Sequence, residues 1–178
     1  MKNSPVFRLS LAALFLALGL LLPFLTGNDR VLGAVLSLMH IPILLCGFVC
    51  GSFYGLAVGF LTPLLRSLLI GAPPMMPVAL AMAFELAAYG ALAGCLYRKL
   101  SKSPGGVYIA LVLSMLLGRM VWGVASYLGF QAMGQPFTLQ TFWTAAFITP
   151  WPGILLQLAL VPAIVIALQR ARLLPLKD

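Results

Sequence analysis

From residue 7 to residue 168 the chain is an almost unbroken succession of apolar runs, cut only by short polar or proline-bearing breaks. That pattern constrains the fold more than any motif, because a helix that crosses a bilayer needs about 20 predominantly apolar residues. Runs of that kind occupy residues 7–25, 32–50, 53–70, 78–97, 108–130 and 153–168. The first ends at the polar TGNDR of residues 26–30, and because further spans follow it, it reads as a membrane helix and not a cleaved signal peptide. GAPPMMP, residues 71–77, separates the third span from the fourth, since its three prolines cannot continue a helix. The apolar stretch 142–168 exceeds one span and is interrupted by Pro150, Pro152 and Gly153, so an interfacial segment is expected ahead of the last helix. Hydrophobic residues make up 62% of the chain and charged residues 8%, against about 25% charged in a soluble domain. The expected fold class is therefore all-α, an integral membrane bundle of six transmembrane helices, with residues 1–178 forming a single domain.

Charge sets the expected orientation. Lys2, Arg8, Arg98, Lys99, Lys102, Arg170, Arg172 and Lys177 fall on the face that carries the termini, while the opposite loops hold only Arg30. By the positive-inside rule both termini are cytoplasmic, and the loops 26–31, 71–77 and 131–145 face outward. The net charge of +8 is thus spread over helix ends and forms no stripe with interleaved aromatics, so no nucleic-acid partner is expected.

Small residues recur at the spacing that lets membrane helices pack closely: Gly47, Gly51, Gly55 and Gly59, then Gly90 and Gly94, and Ala13 with Ala17 in the first span. Cys46, Cys50 and Cys95 lie in or beside apolar helices as packing residues, and His40 is the single histidine, so no metal or other cofactor is expected.

Three charges remain inside the spans: Arg66, Glu85 and Arg119. A charge at mid-helix costs roughly 2.5–3.5 kcal/mol on insertion scales, so intramembrane charges mark sites. At about 1.5 Å per residue, Arg66 lies on the order of 8 Å from the outer face, Glu85 and His40 about 12 Å, and Arg119 roughly 16 Å. Gln157 and the TPWPG segment of residues 149–153 enter the same half of the bundle. This convergence points to a pocket open to the outside. Glu85 can equally serve as a fastener, neutralising Arg66 or Arg119, and His40 as a hydrogen-bonded packing residue. Trp122 and Tyr127 serve as packing anchors or as a ligand platform. Trp143 and Trp151 suit the interface belt. Asn28 and Asp29 in the first outer loop, with Met75 and Met76 in the second, are candidate lid residues.

Enzyme chemistry finds no support. There is no G-x-S-x-G, no Gly-rich phosphate loop, and only Asp29, Glu85 and Asp178 as acids. A transporter built from this chain draws its energy from a partner or an ion gradient.

The run HIPILLCGFVCGSFYGLAVGFLTPLLRSLLIGAPPMMPVALAMAFELAAYGALAGCLY (residues 40–97) resembles the substrate-binding S components of energy-coupling factor (ECF) vitamin transporters. ITPWPGILLQLALVPAIVIAL (residues 148–168) is similar to the closing helix of that family. The resemblance implies a six-helix bundle in the bacterial plasma membrane with cytoplasmic termini. It implies a vitamin or precursor bound near the extracellular face, then delivered by toppling onto a module of one transmembrane coupling subunit and two cytoplasmic ATPases. Ala13 and Ala17 match the alanine face that docks on the coupling subunit. Under this reading Arg66, Glu85 and Arg119 line or support the pocket, joined by His40, Trp122, Gln157 and Asn28. The pocket chemistry leaves pantothenate, pyridoxine, folate, riboflavin, hydroxymethylpyrimidine and queuine all open. Two rival readings remain, a proton-coupled secondary carrier using Glu85 and a membrane scaffold that transports nothing.

Overall fold

Ser4 accepts a hydrogen bond from the Phe7 N–H and Pro5 follows it, so helix α1 (Pro5–Leu21) starts where the apolar run starts. The structure is a computed structural model and describes residues 4–27, 29–100, 103–171 and Leu174. A short 3₁₀ turn, Leu22–Thr26, extends α1 to Gly27, whose positive φ of 62° ends it. Next come α2 (Arg30–Leu36), α3 (His40–Cys50), α4 (Ser52–Ile70), α5 (Leu80–Lys99), α6 (Pro104–Ala132), α7 (Leu139–Trp143) and α8 (Trp151–Arg170). Among the described residues there are no strands, and six helical segments are long and apolar enough to cross a membrane. The expected all-α, six-span bundle is the observed one.

One span departs from expectation. Residues 32–50 were expected as a continuous helix, yet the chain is broken between α2 and α3, where Ser37 takes a left-handed conformation (φ 46°). Asp29 caps the short α2 by accepting from the N–H groups of Val31 and Leu32. The break is held from outside the segment. Gly153 of α8 sits so close that a Cβ there would lie 2.6 Å from the Leu36 carbonyl oxygen. Irregular backbone at membrane depth is tolerated where it is enclosed by protein or lines a cavity, and this segment does both.

α3 is the central helix: every residue from His40 to Cys50 is buried. It turns into α4 through Gly51 alone, at φ 98°, a conformation that favours glycine. The glycine spacing read from the sequence becomes backbone contact. Gly55 of α4 and Gly90 of α5 face each other, and a Cβ on Gly55 would lie 2.6 Å from the Gly90 carbonyl oxygen. Gly59 meets the Leu86 carbonyl in the same way, so α4 and α5 form the most extensive helix pair. α1 packs on α3 and α4, α6 on α5, and α8 on α2, α3 and α6. Cys46 and Cys50 are buried free thiols in this core, and Cys95 is partly buried.

The turn Met75–Ala79, with Met76 extended at φ −114° and ψ 138°, leads into α5. The stretch expected to precede the last helix as an interfacial segment folds as α7 and the turn Thr144–Ile148; Trp143 is exposed at the end of α7 and Trp151 at the start of α8.

Candidate functional site

Three helices bring polar side chains to one point inside the bundle. Glu85 of α5 is 1% exposed, Arg119 of α6 6%, and His40 at the start of α3 4%. Arg119 Nη1 lies 2.8 Å from Glu85 Oε1, and His40 Nε2 lies 3.7 Å from that same oxygen. Of the two arginines the sequence offered as partners, Arg119 makes this pair. A charge so deep is tolerable because its counter-charge comes with it.

The broken helix orients His40. Its Nδ1 lies 3.1 Å from the Ser37 carbonyl, and its backbone N–H donates to the same oxygen at 3.1 Å. Gln157 of α8, fully buried, donates to that carbonyl from Nε2 at 3.5 Å. The freed backbone of the α2–α3 break is therefore what positions the histidine. Tyr89, one helical turn after Glu85, is also fully buried, and its ring lies 5.5 Å from the imidazole. Gly118 makes room for it, since a Cβ there would collide with the Tyr89 ring.

Arg66 stands apart from this cluster. Buried on α4, it donates from Nη1 to the Leu20 carbonyl at 3.0 Å, and its guanidinium carbon is 5.4 Å from the centre of the Phe24 ring. It ties α4 to the end of α1.

A cavity of about 360 Å³ joins the two groups. Its floor is His40, Glu85 and Arg119, and Arg66 stands with Pro23 and Thr26 on the α1 side. Asp29, Ser37 and Met39 contribute from the broken span, Ala72, Pro73, Pro74 and Met82 from the approach to α5 and α5 itself, and Trp122 and Pro150 from α6 and the start of α8. The cavity thus lies at the end of the bundle that carries the 26–31 and 71–77 connections. Trp122 is held by stacking on Phe142 (6.1 Å, 28°) and an edge contact with Phe137 (6.0 Å, 70°). Among the described residues no three His, Cys, Asp or Glu side chains are grouped as metal ligands.

Against this geometry stands one match: the family model of the ECF transporter, substrate-specific component, covers residues 7–167. The chain belongs to the ECF transporter substrate-specific component family. Comparisons with curated proteins and with solved structures return no match. Six apolar spans and this membership make the S component a multi-pass membrane protein, with a transport module and a substrate as the partners its family implies.

Within the S component, the structure gathers Glu85, Arg119, His40, Arg66, Trp122 and Asp29 around one cavity. Gln157 supports it from behind through the Ser37 carbonyl and does not line it. Asn28 lies outside the described residues. The second loop reaches the cavity through Ala72, Pro73 and Pro74, while Met75 and Met76 are exposed and stand off it. Tyr127 is exposed on α6, away from the cavity. Ala13 and Ala17 are exposed on α1, on the side opposite buried Ala12 and Gly19. Sequence reasoning missed Tyr89 and Ser37. Tyr89 was findable, because a residue four after a buried glutamate shares its helix face. Nothing local in SLM, residues 37–39, announces a break.

Proposed function

We propose that this S component captures a vitamin or vitamin precursor at the extracellular side of the bacterial plasma membrane and delivers it to an ATP-driven ECF module of the ABC class. The module would comprise a transmembrane coupling subunit and two cytoplasmic ATPases. Family membership across residues 7–167 is the observation that carries the reading. The cavity supports it: a partly apolar chamber with a few convergent polar groups is the usual form of a small-molecule site. The bias of eight basic residues against one supports cytoplasmic termini, which would place the cavity at the extracellular end.

The proposed binding residues are Glu85, Arg119, His40, Arg66 and Trp122, with Gln157 and Asn28 supporting them. Ala13 and Ala17 are the proposed contact with the coupling subunit. The test is uptake into proteoliposomes with and without a co-purified ECF module, after mass spectrometry has named any compound carried through purification. Accumulation that needs both the module and ATP supports the proposal. Accumulation by the chain alone, abolished when the pH gradient is collapsed, would replace it with a proton-coupled carrier.

A further inference from the structure

A second concave surface, a groove of about 400 Å³, lies on the side of α6 against which α7 folds. Its floor is Gly123 and the Phe142 ring. A Cβ on Gly123 would run into that ring, so Phe142 packs directly on the α6 backbone. The rim is apolar and open: Met120, Val124 and Leu128 on α6 and Leu139 on α7 are 61–73% exposed. The three α6 residues stand about one turn apart, so the groove runs about 12 Å along the helix.

α6 is a membrane span, and the rim continues a stripe of exposed Leu113, Leu116 and Leu117 on the same helix. The groove is thus continuous with the lipid-facing side of the bundle, where it is filled by a lipid chain or by another membrane helix. Two observations favour the chain. Membrane helices associate where small residues let their backbones approach. Among the described residues that line the groove, Gly123 is the one glycine or alanine, and Phe142 covers it. The rim offers long side chains instead, Met120 among them, which adapt to a flexible occupant. Secondly, residues 120–169 hold no charged side chain. Tyr127 and Thr138 are the polar residues of the lining, so the groove has no salt bridge to give a partner and rewards apolar length alone.

The groove adjoins the cavity wall. Phe142 stacks on Trp122 and Phe137 meets it edge-on; both rings line the groove, and Trp122 lines the cavity. Among the described residues, α7 has its extensive contacts with the turn that follows it and not with α6, so these rings seat it on the bundle.

We propose that the groove between α6 and α7 is a lipid site that takes one acyl chain of a bilayer phospholipid, one aromatic ring away from Trp122. The proposal stands on the membrane embedding of α6 and goes beyond the transport reading, which survives its failure.

The test reads Trp122 fluorescence. In the full chain carrying Trp143→Phe and Trp151→Phe, both at exposed positions, Trp122 is the single tryptophan left. Phosphatidylcholine and phosphatidylglycerol with dibrominated acyl chains are titrated into this protein in mild detergent, since bromine quenches an indole that it lies close to. The expected result is quenching by both lipids that saturates and is competed by the same lipids without bromine. Val124→Phe with Leu139→Phe fills the groove from its exposed rim, and Leu128→Phe is a milder filling should the double variant fail to fold. Either is expected to weaken the quenching lipid's affinity, the double variant at least about tenfold, which is what losing the burial of about two methylene groups amounts to. Leu116→Phe, exposed on the same helix outside the groove, should leave it unchanged. Quenching that never saturates, or that the filled variants and the Leu116→Phe control show alike, would mean that Trp122 senses only the surrounding lipid, and would overturn the proposal. Absence of quenching would overturn it as well. So would quenching that a co-purified ECF module abolishes, because the groove would then belong to a helix of the module.

Discussion

Arg119 Nη1 and Glu85 Oε1 stand 2.8 Å apart at the floor of the cavity, on neighbouring helices α6 and α5. The pair is buried almost completely, and its members serve two purposes at once: each removes the other's uncompensated charge, and both face the cavity. Stability and the proposed binding role are therefore entangled at this point, and single substitutions alone cannot separate them.

A double variant can. Arg119→Met leaves the Glu85 carboxylate buried without its partner, and breaking such a pair costs about 3–5 kcal/mol. Glu85→Gln leaves the guanidinium in the same position. Combining them as Glu85→Gln with Arg119→Met removes both charges, and thermal unfolding in detergent is expected to recover most of what either single change loses. Binding of the co-purified compound is not expected to return. Recovery of both stability and binding would mean that the pair is only a fastener.

The α4–α5 contact makes a purely steric prediction. A methyl group at Gly59 runs into the Leu86 carbonyl, which is backbone and cannot rotate away. Gly59→Ala is expected to lower stability by about 1–3 kcal/mol, the usual cost of overpacking. Gly105→Ala is the control: the nearest atom to its new Cβ is the Ser103 hydroxyl at 3.9 Å, so melting should stay unchanged or rise slightly. Comparable loss in both variants would refute close glycine packing as the basis of this interface.

These two interfaces differ in how far the sequence announces them. The spans are legible because lipid demands long apolar runs, and the glycine faces because close approach demands small residues at fixed spacing. The depth at which Glu85, Arg119 and His40 meet is legible as well, since counting residues along a straight helix gives height. Helix rotation and neighbourhood are not. α4 and α6 both flank α5, so Arg66 and Arg119 look alike as partners for Glu85 until Arg66 is seen to turn to the Leu20 carbonyl at the end of α1 and Arg119 to the carboxylate. The break at Ser37 is invisible for a further reason: it is stabilised by Gly153 and Gln157 of α8, more than 100 residues away. Apolar content cannot report a contact of that kind.

The break itself can be tested. Ser37 holds φ 46°, where a β-branched side chain is strained and glycine is not. Ser37→Val is expected to cost about 1–3 kcal/mol and to weaken ligand binding, because straightening this segment withdraws the carbonyl that orients His40. Ser37→Gly keeps the carbonyl and should bind nearly as well as the parent chain. Similar binding by both variants, measured by isothermal titration, would show that the left-handed turn does not position the site.

The exposed alanines of α1, the proposed contact with the coupling subunit, allow that proposal to be tested apart from ligand capture. Ala13 and Ala17 face away from the bundle, and neither lines the cavity. Membrane helices associate where small residues let their backbones approach, so a large side chain at such a face acts on the partner and leaves its own fold alone. Ala13→Trp combined with Ala17→Trp is expected to reduce co-purification with the ECF coupling module at least about tenfold, equivalent to about 1.4 kcal/mol or more. The thermal shift produced by the bound compound should be unchanged, because nothing at the floor of the cavity has moved. Undiminished association would mean that the coupling subunit docks on another face of the bundle, and loss of the thermal shift along with it would mean that α1 carries the site rather than the contact.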